Sequence, residues 1–202
     1  MSPESDAPAR PATTAGRARW RLLLGVAAVV LIADQLTKWW AMEALDDRMI
    51  DLVGSLRLRL VMNYGSAFSI AQGRGALISL LALVIVAVLL RSGRYATRPA
   101  SALAIGLVVG GAIGNLLDRA FREGDGFLGG GVVDFIDLQW WPVFNIADSG
   151  IVVGAIVLFL AEFREEADEA EREDEAERTD EAERADEATA PADAEAEGTP
   201  PS

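Results

Sequence analysis

The sequence predicts an all-α membrane protein of four transmembrane helices with a small extracytoplasmic β element. Three observations carry that prediction: four long apolar runs, arginines crowded into two of the flanking segments, and period-two alternation in one link between runs. The 202-residue chain is 51% hydrophobic yet has a formal net charge of -13. Two compositions are joined in it. Residues 162 to 202 hold 18 acidic side chains against four arginines, which leaves an apolar, almost neutral body before them.

Residues 1 to 16, rich in Pro, Ala, Ser and Thr, read as a disordered arm. The first apolar run begins at Leu22 after Arg17, Arg19 and Arg21. It passes through Leu31-Ile32-Ala33, a poor cleavage site for a secretory leader, and resumes through Leu36, Trp39, Trp40 and Met42, so an uncleaved membrane helix is expected. Ala76 to Leu90 and Ser101 to Leu117 carry no charge, and Gln139 to Ala161 carries only Asp148. At about 1.5 Å per residue these runs, with their flanks, cross a hydrocarbon core of roughly 30 Å.

Arg10, Arg17, Arg19 and Arg21 precede the first run, and Arg91, Arg94 and Arg98 lie between the second and third. That bias places both segments, and both termini, in the cytoplasm. The outer loops are then residues 43 to 74 and 118 to 139, and Trp39, Trp40, Trp140 and Trp141 fall at the outer interface. In the first outer loop Leu56-Arg57-Leu58-Arg59-Leu60 alternates as a short strand or hairpin would. Residues 170 to 187 repeat AEREDE-like units without a large apolar residue, which predicts disorder or a transient solvated helix.

Neither cysteine nor histidine occurs. That excludes thiol and Ser-His nucleophile systems and zinc sites built on those ligands, and leaves carboxylates as the leading acid/base groups. Ionisable groups inside an apolar span are costly unless they are paired or wet, so each is a candidate site. Asp34 falls about 18 Å up from the inner end of the first span and Asp148 about 11 Å down from Trp141, which puts them at one level. Asn115, Asp118 and Arg119 share a face of the third span, behind Gly106, Gly110, Gly111 and Gly114. Asn145 shares a face with Asp148, and Asp134 sits in the apolar run Val132 to Asp137.

A purely structural account has weight for some of these. Asn115 and Asn145 could be interhelical hydrogen bonds, Arg119 an anchor paired with Asp118, and Asp34 a partner for Lys38 one turn away. Asp134 and Asp148 resist it, because each lies among apolar neighbours with no basic residue within four positions. Two facing carboxylates can share one proton, activate a water and polarise a carbonyl, which is aspartic-protease chemistry. A proton-coupled carrier and a structural membrane subunit are the rivals, but no internal repeat is visible and the polar groups gather at one level.

At these residues the sequence resembles the lipoprotein signal peptidase (signal peptidase II) family, aspartyl protease family A8. The matching segments are Asp34-Gln35-Leu36-Thr37-Lys38-Trp39, Asn63-Tyr64-Gly65-Ser66-Ala67-Phe68, Gly110 to Arg119, Val132 to Asp137 and Phe144-Asn145-Ile146-Ala147-Asp148-Ser149. The resemblance implies that Asp134 and Asp148 are a catalytic dyad. It further implies that Asn63, Asn115, Arg119 and Asn145 position substrate or support the dyad, and that Asp34 and Lys38 are a mainly structural pair. The implied activity removes signal peptides from diacylglyceryl-modified prolipoproteins just before the lipidated cysteine. No metal or organic cofactor is implied, and the expected setting is the cell inner membrane, as a monomer with lipid bilayer and prolipoproteins as partners and no nucleic acid. The domains expected are an arm over 1–16, a membrane peptidase domain over 17–164 and an acidic disordered cytoplasmic tail over 165–202.

Overall fold

The computed structural model describes residues 14–65, 75–94, 98–124 and 126–189. Its elements are α1 (Thr14–Ala44), β1 (Ile50–Val53), β2 (Leu56–Asn63), α2 (Gly75–Gly93), α3 (Pro99–Phe121), β3 (Val132–Asp137) and α4 (Ile146–Thr189). The chain divides into two compact units, Met1–Phe159 and Leu160–Ser202. Each of the four helices contains a window long and apolar enough to cross a membrane.

The helix in the middle of the bundle is α3. In its most apolar window 61% of residues are buried, against 22% in α1 and 17% in α2, most of whose leucines and valines face outward as lipid-facing side chains do. Small residues let the neighbours close on it. A Cβ added at Gly106 would lie 2.7 Å from the Leu23 carbonyl oxygen, and one at Gly110 would lie 2.5 Å from that of Ala27. At Gly114 it would lie 2.5 Å from an Asp34 carboxylate oxygen, so a glycine every fourth residue seats α1 along one stripe of α3. Gly111, one position round, meets the Ala147 carbonyl at the start of α4. Gly110→Val is therefore expected to wedge α1 from α3 at a cost of about 3 kcal/mol or more. Thermal unfolding in detergent checks this, and an unchanged melting temperature would refute the close-packed stripe.

The strands form one antiparallel sheet in the order β1-β2-β3. Arg57 pairs with Asp137, Val61 with Asp134 and Asn63 with Val132, with an irregularity between Leu58 and Val61. Phe135 on β3 packs with Ala41 of α1 and with Leu45 just beyond that helix in a second apolar cluster, edge-on to Trp40. The sheet is thereby fixed to the end of α1. On the loop between α3 and β3, the Gly130 N–H donates to the Arg119 carbonyl oxygen at 3.1 Å and the Gly131 N–H to that of Glu123 at 3.2 Å. The first of these bonds satisfies a carbonyl that the last turn of α3 leaves open. A Cβ at Gly130 would lie 2.6 Å from the Asp118 carbonyl oxygen, which is why glycine occupies that position.

Several boundaries differ from those expected. The first helix starts at Thr14, inside the expected arm, while residues 1–13 lie outside the described residues. The fourth begins at Ile146 rather than Gln139, so Trp140 and Trp141 stand on irregular chain before it. A six-residue strand occupies Val132 to Asp137, where the sequence suggested only an apolar loop. In the second unit, helix continues to Thr189, the solvated-helix alternative to disorder for residues 170 to 187, with every described side chain beyond Ala161 exposed. Ser66-Ala67-Phe68 and the tail after residue 189 lie outside the described residues.

Candidate active site

The eight polar residues that the resemblance assigns to the site come together where α1, α3, the start of α4 and the sheet meet. The simplest part is the start of α4. Asn145 caps the helix: its Oδ1 accepts from the Asp148 N–H at 2.9 Å, and its own N–H donates to Asp148 Oδ2 at 3.3 Å. This reciprocal cap satisfies open N–H groups of the first turn and fixes the Asp148 side chain against the helix end. The Ala147 N–H, another open donor of that turn, is taken at 2.9 Å by Asp34 Oδ1 of α1.

Asp134 arrives from β3 and is only 2% exposed. Asn63 pairs with Val132 across the ladder, so Asp134, two residues further along β3, is its diagonal neighbour on the same face. Asn63 Nδ2 donates to Asp134 Oδ2 at 2.9 Å. Asn145 Nδ2 donates to Asp134 Oδ1 at 2.7 Å, and also lies 3.1 Å from Asn115 Oδ1 and 3.3 Å from the Val133 carbonyl oxygen. One asparagine thus touches both carboxyls, through its side chain on Asp134 and its backbone on Asp148. Burial pushes the Asp134 carboxyl up to about 7, and the nearby Asp148 charge adds to the rise against the lowering effect of the Asn63 and Asn145 hydrogen bonds.

Behind the carboxyls lies a buried charge network. Lys38 is fully buried and donates to Asp34 Oδ2 at 2.9 Å, Asp118 Oδ2 at 2.8 Å and Asn115 Oδ1 at 2.9 Å. An ammonium has donors only. Its contact therefore turns the Asn115 carbonyl inward, and Asn115 Nδ2 faces outward to donate to Asp148 Oδ1 at 2.8 Å. Asp118 also pairs with Arg122 at 2.7 Å and accepts from the Val133 N–H at 3.2 Å, tying the network to β3. The suggested Asp118–Arg119 pair is not the arrangement found: Asp118 turns to Lys38 and Arg122. Its importance was missed because its partners are 80 and four residues away, and only the first span's single lysine hinted at the need for a counter-charge.

Asp134, Asp148, Asn63, Asn115 and Arg119 line one cavity of about 270 Å³, whose remaining wall includes Ile78, Ala112, Leu116 and Ile151. The wall is mostly apolar and the polar groups converge on one side, as in a site that orients an apolar chain. Arg119 is 8% exposed, and its Nη1 has no hydrogen-bond partner among the described residues. A second cluster, not foreseen, lies on the sheet, where Arg57 and Arg59 contact Asp137 Oδ2 at 2.8 and 3.0 Å. Burial alone would raise Asp137, but these guanidinia and the Gln139 N–H hold its carboxyl below the usual range.

Comparison with known proteins identifies the family. The family model for signal peptidase (SPase) II matches residues 26–164. A lipoprotein signal peptidase from Rhodococcus jostii (strain RHA1) is 48% identical over 158 residues, covering 77% of this chain and 78% of that protein. One from Mycolicibacterium smegmatis is 43% identical over 169 residues, covering 78% and 72%. Two bacterial membrane enzymes solved by the in meso method superpose with TM-scores of 0.59 and 0.61 at 28% and 27% identity, each with 90% of its length covered against 69% and 72% of this chain. The chain belongs to the signal peptidase II family, the aspartic endopeptidases that remove signal peptides from prolipoproteins.

Proposed function

We propose that Asp134 and Asp148 are the catalytic dyad, and that the substrate is a diacylglyceryl-modified prolipoprotein cut just before its lipidated cysteine. The observation that carries this reading is the single asparagine, Asn145, holding one carboxyl by its amide and the other by its backbone at the wall of a shared apolar cavity. One proton shared by the pair leaves one carboxylate to take a proton from a water, while the other, neutral, donates to the scissile carbonyl oxygen. The hydrated tetrahedral carbon then collapses as a proton passes to the departing amide nitrogen. The pair acts as a coupled unit. Asn63, Asn115 and Asn145 hold the carboxyls in place, and Arg119 offers its free Nη1 to a carbonyl of the incoming substrate.

Acyl chains on the substrate suit a site whose cavity wall is apolar and set among membrane spans. The arginine bias supports both termini in the cytoplasm, which puts the cavity near the outer face of the cell membrane. All eight polar side chains come from one chain, which supports a working monomer. Mass spectrometry of the products tests the assignment. Cleavage of a lipidated precursor is expected to expose the modified cysteine as the new N-terminus, whereas an unmodified precursor stays uncut. Equal cleavage of both would overturn the lipid requirement.

The pH dependence has a definite sign. A carboxyl titrating at about 7 is neutral below that value and ionised above it, so raising the pH turns the singly protonated pair into two facing anions. Turnover on a liposome-embedded precursor is therefore expected to fall as pH rises through about 7. A profile that climbs through that region would show that the doubly ionised pair is the active form.

A further inference from the structure

We propose that the end of the bundle opposite the carboxyl pair holds a binding site for the headgroup of an anionic membrane phospholipid. The start of α1 and the chain at the end of α2 border an open concavity of about 740 Å³ lined by Arg17, Arg21 and Arg94 together with Trp20 and Leu90. Its floor is rigid, because Trp20 and Leu90 pack against the main apolar cluster of the helices. The walls approach closely at Gly93, where an added Cβ would lie 2.6 Å from Leu23 Cδ1 and 3.6 Å from Trp20 Cζ3.

All three arginines are exposed, and among the described residues none of them pairs with a carboxylate. Orientation in the membrane requires positive charge near a span, but it does not require three guanidinia round one concavity with an indole in its floor. Guanidinium groups take phosphate oxygens in bidentate fashion, and tryptophan sits by preference at headgroup depth. A concavity between two spans, charged at the rim and apolar on the floor, matches a phosphate headgroup with its acyl chains running down the outside of α1 and α2, where large apolar side chains such as Leu24 and Leu83 are exposed.

Native mass spectrometry of the full chain in detergent tests the site, with phosphatidylglycerol and phosphatidylcholine of identical acyl chains as probes. The protein is expected to retain phosphatidylglycerol at roughly a hundredfold lower concentration than phosphatidylcholine, since each basic residue contributes about fivefold. Arg17→Gln/Arg21→Gln/Arg94→Gln is expected to lose that preference, and the corresponding triple lysine variant to keep most of it. If the triple glutamine variant fails to insert, Arg94→Gln alone must still weaken the preference about fivefold. Equal retention of the two lipids, or a preference that survives the glutamine substitutions, overturns the proposal. Displacement of phosphatidylglycerol by inorganic phosphate would overturn it too, by showing a site for the free anion. Processing of a precursor by these variants reads the carboxyl pair separately, so failure here leaves the peptidase assignment standing.

Discussion

Asp134→Asn and Asp148→Asn are each expected to lower cleavage of a lipidated precursor by roughly 10⁴-fold while the protein still inserts and binds that precursor. Asparagine keeps the volume and most of the hydrogen-bond geometry. At position 134 one amide edge still accepts from Asn63 or Asn145, and the charge that burial disfavours is gone, so fold and melting temperature change little. What disappears is the ability to hold one proton between two groups and pass it on. Because the carboxyls act as a unit, the double variant is expected to be no slower than either single one. Liposome assays of cleavage, run beside precursor capture by the same variants, separate chemistry from binding. Normal cleavage by either variant would end the dyad assignment.

How much of this was legible in the sequence differs by element, and each difference has a physical cause. The spans were legible because a bilayer demands long runs of apolar side chains, a signal strong enough to survive errors at the ends. Their ends were harder. The run Trp140-Trp141-Pro142-Val143-Phe144 looked like the top of a membrane helix, but it is irregular chain, and Phe144 instead bridges to Ile136. The better signal was Asn145-Ile-Ala-Asp148, a cap residue followed three positions later by a carboxylate. The hairpin of β1 and β2 showed itself through alternation at Leu56 to Leu60. The third strand did not, because all but one of its six side chains are buried, leaving a short apolar run with no period.

The site follows the same division. Asp134 and Asp148 were conspicuous because isolated charges are costly among apolar neighbours. Asp34 and Asp148 were placed at one level by counting residues from the ends of the spans, and Asp34 does meet the first turn of α4, at the Ala147 N–H. The count succeeded although its starting point at Trp141 lay outside the helix. Invisible in the sequence was the direction of each amide. That Asn115 points its NH₂ at Asp148 depends on a lysine 77 residues earlier, and such a constraint exists only once the helices have packed.

Lys38→Met is expected to be the most damaging substitution outside the carboxyl pair. Asp34, Asp118, Lys38 and Arg122 form a charge-balanced set with three of the four side chains almost wholly buried. Removing only the ammonium leaves two carboxylates facing one guanidinium, and breaking a buried pair from one side typically costs about 3–5 kcal/mol. The melting temperature in detergent is expected to fall by roughly 10 °C. Asn115 also loses the charged one of the two donors that turn its carbonyl inward and keeps only Asn145 Nδ2 at 3.1 Å, so its amide is held less firmly toward Asp148, and turnover should fall roughly 10²-fold at temperatures where the variant remains folded. Adding Asp34→Asn restores balance, because Asp118 keeps Arg122 at 2.7 Å. The double variant should accordingly melt above Lys38→Met alone, while its turnover stays low because Asn115 still lacks the ammonium on its carbonyl. Melting curves and cleavage rates for the two single variants and the double decide the matter. Additive losses in stability would show that Lys38 and Asp34 stabilise the bundle independently, and a double variant with full turnover would show that Asn115 does not depend on the lysine for its orientation.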